Sequence, residues 1–146
     1  MKKLISVILV AMLVFSCLPV AGAAETVATE KIEFDDGSYL IVETIRSGAR
    51  AAHSISGSKP YTYYNASDVA QWKATLSGTF TYTGSSATCT ASSISITIYN
   101  NSWSTSSKSA SKSGNKATGS VTMKQSTVKS VPVSLSLSCS ASGSLS

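Results

Sequence analysis

Beyond Glu43 the 146-residue chain contains a single acidic side chain, Asp68, and in its whole length a single histidine, His53. These scarcities exclude most reaction chemistry. A pair of catalytic carboxylates, as glycoside hydrolysis needs, would have to come from the first third of the chain. A Ser-His-acid relay would depend on His53, which sits in a Ser/Gly/Ala-rich stretch without periodicity, and no nucleophile-elbow motif occurs. One histidine and two cysteines outside the N-terminal segment do not make a zinc site. Glu33, Asp35 and Asp36 are acids in and beside a turn, an ordinary arrangement that does not by itself specify calcium. No catalytic residue, metal or cofactor is therefore expected, and the chain reads as a non-enzyme. Nucleic acid is not an expected partner either, because no groove of interleaved aromatic and basic residues is present.

The one long apolar run is N-terminal. Lys2 and Lys3 precede Leu4 to Phe15, and Ala21-Gly22-Ala23 follows with small residues at alternate positions. A charged start, an apolar middle and a small-residue cut are the parts of a secretory signal. The run is short for a bilayer span, and Pro19 interrupts its end. Residues 1–24 are read as a signal peptide, with release outside the cell or association with its wall, and with no stable membrane insertion after cleavage; Val14-Phe15-Ser16-Cys17 loosely resembles a lipobox, which leaves a lipid on Cys17 as the alternative.

Removal of the signal takes Cys17 with it and leaves Cys89 and Cys139. An even pair in an exported chain reads as one disulfide, against the alternative of two buried thiols kept reduced. Charge is divided along the chain: Glu25, Glu30, Glu33, Asp35, Asp36 and Glu43 precede Ala51, whereas the remainder carries Lys59, Lys73, Lys108, Lys112, Lys116, Lys124 and Lys129. Residues 25–46 hold two apolar-rich runs around Asp35-Asp36-Gly37-Ser38, the chemistry of a β-hairpin turn. Residues 47–58 read as a linker.

From residue 59 to 146 the dominant pattern is a period of two. Trp72, Ala74, Leu76, Gly78, Phe80 and Tyr82 alternate with Lys73, Thr75, Ser77, Thr79 and Thr81. Val131, Val133, Leu135, Leu137 and Cys139 alternate with serines in the same way, and Ala117, Gly119, Val121 and Met123 form a third set behind the turn residues Gly114-Asn115. Cys89 and Ile94 have opposite parity, which a bulge near Ser92-Ser93 would reconcile. Ser and Thr make up roughly two in five residues after Ala52, far above ordinary usage. Their alternation with apolar residues argues for strands with hydroxyl-bearing outer faces rather than a disordered stalk. The fold class that follows is all-β: an antiparallel, immunoglobulin-like β-sandwich stapled by Cys89 and Cys139, preceded by a β-hairpin and a linker. The order of the strands is not readable.

The segments Tyr61-Thr62-Tyr63-Tyr64-Asn65, Gly84 to Thr90, Ser107 to Asn115 and Leu137-Ser138-Cys139 resemble those of small secreted Ser/Thr-rich β proteins of Gram-positive gut bacteria. That resemblance implies compartment and fold, and no activity is established for that group.

Two binding surfaces are candidates. Lys108, Lys112 and Lys116 recur every four residues and form a cationic set suited to an anionic wall polymer. The competing reading is a soluble sheet edge, where lysine discourages strand pairing. Tyr61, Tyr63, Tyr64 and Trp103 are candidates for a glycan platform, against core and cross-strand packing. The function expected is an exported surface or secreted binding module for a wall polymer or glycan. The alternative is a secreted antagonistic peptide or toxin with an acidic pro-segment. Oligomeric state is open.

Overall fold

The computed structural model describes residues 23–47 and 53–146. All but the last two residues of the expected signal peptide, and the middle of the expected linker, lie outside the described residues. Among the described residues there are eight antiparallel strands and no helix: β1 (Glu25–Glu33), β2 (Tyr39–Arg46), β3 (Ser54–Tyr64), β4 (Ala70–Tyr82), β5 (Ala87–Ile98), β6 (Trp103–Ser113), β7 (Lys116–Gln125) and β8 (Lys129–Ser138). They form two sheets, in the orders β1-β2-β3-β4-β5 and β6-β7-β8.

The period-two pattern explains the layering. In β4 Trp72, Ala74, Leu76 and Phe80 are buried while Lys73, Thr75, Ser77 and Thr79 turn outward. In β8 Val131, Val133, Leu135 and Leu137 are buried between exposed or half-exposed serines and Pro132. Ala117, Val121 and Met123 do the same in β7. Each large apolar side chain taken from water contributes about 1.5–3 kcal/mol, so these alternating sets hold the two inner faces together. The sheets approach closely where side chains are smallest. A Cβ on Gly119 would lie 2.3 Å from Ile94 Cδ1 and 2.9 Å from the Ser109 carbonyl oxygen. Glycine lets β5 send Ile94 into that gap.

The turns follow their chemistry. Gly37 (φ 80°) closes the β1–β2 turn, and Gly114 (φ 55°) occupies the first central position of the two-residue β6–β7 turn. Pro60 lies in a strand with neighbours on both sides. It is tolerated because the β2–β3 pairing passes from Val42↔Tyr61 to Ile45↔Ser58 and skips it.

Four expectations change in the structure. First, strand order follows the chain within each sheet, and the chain crosses between sheets once, from β5 to β6. An immunoglobulin domain instead distributes its strands by Greek-key connections. Second, the stretch read as a linker contains the start of β3: Ser54 to Ser58 pair with β4, Arg46 pairs with Gly57, and the Ser47 amide donates to the Ser56 carbonyl at 2.9 Å. Polar residues around a glycine hid that strand. The acidic hairpin is consequently part of the larger sheet, and its Leu40 and Val42 belong to the core. Third, the bulge on β5 falls at Thr90, between Ala91↔Thr79 and Cys89↔Phe80, slightly earlier than expected.

Fourth, no disulfide joins Cys89 and Cys139. Both are buried, and the β6–β7 turn lies between their backbones. The Cys89 amide donates to the Gly114 carbonyl at 2.7 Å and the Cys139 amide to the Asn115 carbonyl at 3.0 Å. Each thiol donates to a backbone carbonyl at 3.3 Å, Cys89 to Ala91 and Cys139 to Ser140. Two adjacent turn carbonyls thus tie β5 and the end of β8 together where a sulfur bridge was expected. Burial pushes the Cys89 thiol pKa up.

The sheets are staggered. β8 packs on β3 and β4, β7 on β4 and β5, and β6 on β5. β1 extends beyond the covered face of the first sheet. On the inner face of β1, Ala28 and Glu30 remain exposed and Ile32 half-buried, although their cross-strand partners Thr44, Val42 and Leu40 are buried.

Candidate functional site

Four connections meet at one end of the molecule: residues 34–38, 65–69, 99–102 and 126–128. They enclose a cleft of about 260 Å³ with a floor of Tyr63 and Trp103. This is slightly below the usual range for small-molecule sites, about 300–1,000 Å³, and suits one small group.

The floor is an aromatic cluster. Tyr63 stacks on Trp72 (5.1 Å between centroids, 8° between planes), and Trp103 meets both rings edge-on at 5.3 and 6.1 Å. Alternation on β3 and β4 delivers Tyr63 and Trp72 to one face as a cross-strand pair. Gln71, almost fully buried at 3% exposure, fixes the wall. Its Oε1 accepts from Asn100 Nδ2 at 2.8 Å and from Trp103 Nε1 at 3.2 Å, while its Nε2 donates to the Val69 carbonyl at 2.9 Å. Its own carbonyl accepts the amides of Tyr99 and Asn100. One glutamine therefore locks the 65–69 and 99–102 loops and the Trp103 ring.

The opposite wall is an ion pair. Lys129 Nζ, at the start of β8, bonds Asp36 Oδ2, Tyr63 OH at 2.5 Å and Ser38 Oγ at 3.3 Å. Asp36 also accepts from the amide and hydroxyl of Ser38. The Lys129 and Ser38 bonds bring the Asp36 pKa down to about 2. Burial alone would lower the Lys129 pKa; its bonds to Asp36 and Tyr63 outweigh that and raise it. The pair joins the first hairpin to the second sheet.

Some polar atoms at the cleft keep spare capacity. Asn65 uses Oδ1 to accept the amides of Ser67 and Val69, and Gln125 uses Nε2 to donate to Ser102 Oγ. Asn65 Nδ2 and Gln125 Oε1 have no hydrogen-bond partner among the described residues. Around the mouth Val69, Tyr99 and Val128 are exposed, Val128 at 86%. A second hollow of about 300 Å³ crosses β3, β4 and β5 over Ser56, Ser58, Ser77, Thr79 and Ser93, but it contains no charged or aromatic group.

The surfaces expected from the sequence are rearranged. Tyr61, Tyr63 and Trp103 are core residues, and Tyr61 OH accepts the Ser136 amide at 3.4 Å, so the four aromatics do not form an exposed platform. Tyr64 points to the other face, stacked on Tyr39 at 5.1 Å. Lys31 Nζ lies 4.3 Å from the Tyr39 ring, and the Tyr39 hydroxyl donates to Asp68 at 2.9 Å. Lys108 and Lys112 share a face as expected, but it is the inward face, opposite Val121 and Ala117. Lys116 precedes Ala117 on β7 and points outward. Lys112 Nζ donates to the Thr90 carbonyl at 2.7 Å. The three lysines are not one stripe. His53 is exposed, with φ 63° and its ring 6.1 Å from that of Tyr82. Gln71, Asn100, Gln125 and the Asp36–Lys129 pair escaped the sequence reading, since isolated amides and a pair 93 residues apart leave no local pattern.

No protein-family profile, curated protein or solved structure matches this chain.

Proposed function

We propose that this chain is an exported, non-enzymatic binding module that takes one sugar unit of a glycan into the loop-end cleft. The observation that carries the reading is the mixed set of open valences there: a donor on Asn65, an acceptor on Gln125, and the remaining acceptor capacity of the Asp36 carboxylate. A sugar hydroxyl both donates and accepts, so alternating donors and acceptors on a rigid wall suit a polyhydroxyl ring. Asp36 and Lys129 neutralise each other, which favours an uncharged group over a polyanion. The same pairing supports binding rather than catalysis, because it moves both groups away from the range in which an acid or base works near neutral pH. Export rests on Lys2-Lys3, the apolar run and Ala21-Gly22-Ala23. A removable acidic pro-segment is the weaker reading, since cleaving it away would strip Leu40 and Val42 from the core.

The test is a microarray of wall and host glycans probed with the purified chain, followed by two variants. Asn65→Asp keeps the acceptor that shapes the loop and removes the free donor; Gln125→Ala removes the free acceptor. Each should weaken binding about tenfold, the worth of one well-placed hydrogen bond, without moving the melting temperature. Failure to retain any glycan, or variants that bind like the parent, would reject the reading.

A further inference from the structure

The two flanks of the molecule carry opposite charge on edge strands that lack a partner. On one flank β1 ends the five-stranded sheet. On the other, β5 ends that sheet and β6 ends the smaller one beside it. At the turn end β5 is already closed, because its Cys89 amide and Thr90 carbonyl bond Gly114 and Lys112. The open part of its edge runs from Ala91 to Ile98.

Charge at these flanks points inward on edge strands yet stays exposed at the rim. Glu30 shares the inner face of the first sheet with buried Val42, yet is exposed because β8 does not reach over β1. Lys108 and Lys112 share the inner face of the second sheet with buried Val121 and Ala117, yet are exposed at its edge. Internal ion pairs do not use these groups: Glu25, Glu33 and Asp36 are bridged by Arg46, Lys31 and Lys129. Glu30 feels Lys59 on its own sheet through space, but no bond joins them. The separation is general, since β6, β7 and β8 contain five lysines and no acid.

Inward charges on an edge strand are a known guard against edge-to-edge pairing. A guard works against edges of the same sign. Two β1 edges repel, and two β6 edges repel. An acidic edge and a basic edge on opposite flanks leave one pairing unopposed. The geometry points to head-to-tail association of this chain with further copies of itself: the β1 edge of one copy docks against the β5–β6 flank of the next, with Glu30 facing Lys108 and Lys112. The stagger fits this arrangement, because the exposed inner face of β1 in one copy then lies toward the exposed β6 edge of the next. The contact is heterologous, so repetition builds an open linear chain rather than a closed dimer. It uses the flanks and leaves the loop-end cleft exposed, independent of what the cleft binds.

Sedimentation velocity on the purified chain tests the proposal over a range of concentrations. Association should grow with concentration at about 0.1 M salt and fade at about 1 M, where the screening length drops from about 10 Å to about 3 Å. Glu30→Lys alone, or Lys108→Glu with Lys112→Glu, should weaken association about tenfold while leaving the melting temperature in place. Combining all three substitutions restores opposite signs and should restore association. A chain that stays monomeric at every salt and concentration overturns the proposal and leaves the charges as edge guards. Association that ignores the single-flank substitutions, or that the combined variant fails to recover, overturns it equally.

Discussion

Gln71→Leu should be among the most damaging single substitutions of a polar residue in this protein. Leucine is close to glutamine in volume, so the change opens little cavity and isolates the hydrogen bonds. Three are lost: Asn100 Nδ2 and Trp103 Nε1 lose their acceptor, and the Val69 carbonyl loses its donor. The Asn100 amide, half-buried near the mouth, regains water and costs about 1 kcal/mol. The Trp103 indole, at 4% exposure, cannot reach water easily, and an orphaned buried donor costs about 1–3 kcal/mol. The sum is about 2–4 kcal/mol, or a fall in melting temperature of about 8–16 °C for a domain of this size. Urea unfolding followed by tryptophan fluorescence measures it directly. A double-mutant cycle with Trp103→Phe isolates the indole bond, and the coupling should be about 1 kcal/mol. If Gln71→Leu stays within about 0.5 kcal/mol of the parent, the range of an ordinary surface change, the glutamine is not the hub of the loop end and the argument for a rigid cleft fails with it.

Gly119→Ala should destabilise by about 1–3 kcal/mol through overpacking against Ile94 and the Ser109 carbonyl, and adding Ile94→Val, which deletes the nearer clashing carbon, should recover part of the loss in the same melt. The Asp36–Lys129 pair should stabilise the fold between two limits. Asp36 is depressed to about 2 from 3.8, so its contribution is present above about pH 4 and lost as pH falls toward 2; Lys129 is raised above 10.5, so its contribution is present below that value and lost as pH rises through the folded pKa. Asp36→Asn should therefore melt lower than the parent at neutral pH and converge with it at the acid extreme, and parallel melting curves across the whole range would refute the linkage. Cys89, buried and with its pKa raised, should resist alkylation in native buffer at neutral pH and react promptly once denaturant is added; prompt native labelling, read by mass, would mean that the β6–β7 end opens.

What the sequence reveals of this fold depends on whether a strand is half-buried. β4, β7 and β8 have one face in the core, and their alternation fixes both the strand and its orientation residue by residue. β6 is exposed beyond Trp103, and in Ser106 to Ser113 only its turn chemistry marks it. The beginning of β3 is hidden because Gly57 takes an inward position without a side chain, while Leu145 fills the space above it. The cysteines are rightly placed at buried positions, but parity does not give the distance between two strands in different sheets. The cleft is least legible. Asp36 and Lys129 meet only because β8 runs back to the first hairpin, a consequence of strand order. Tyr63 and Trp103 have the chemistry of a binding platform, yet a ring on an inward position serves packing first.

Because the chain changes sheets once, between β5 and β6, the first sheet is written in an unbroken stretch of sequence. Each strand pairs with the one just before it, so most loops closed during folding are short and their entropy cost is small. A chain emerging N-terminus first from the ribosome can then assemble the five-stranded layer before β6 to β8 have appeared. That layer would wait with Trp72, Leu76 and Phe80 uncovered until the last hairpin and β8 arrive. The moment of greatest vulnerability to aggregation is therefore late, and it falls while the hydroxyl-rich, lysine-bearing third of the molecule is still to come.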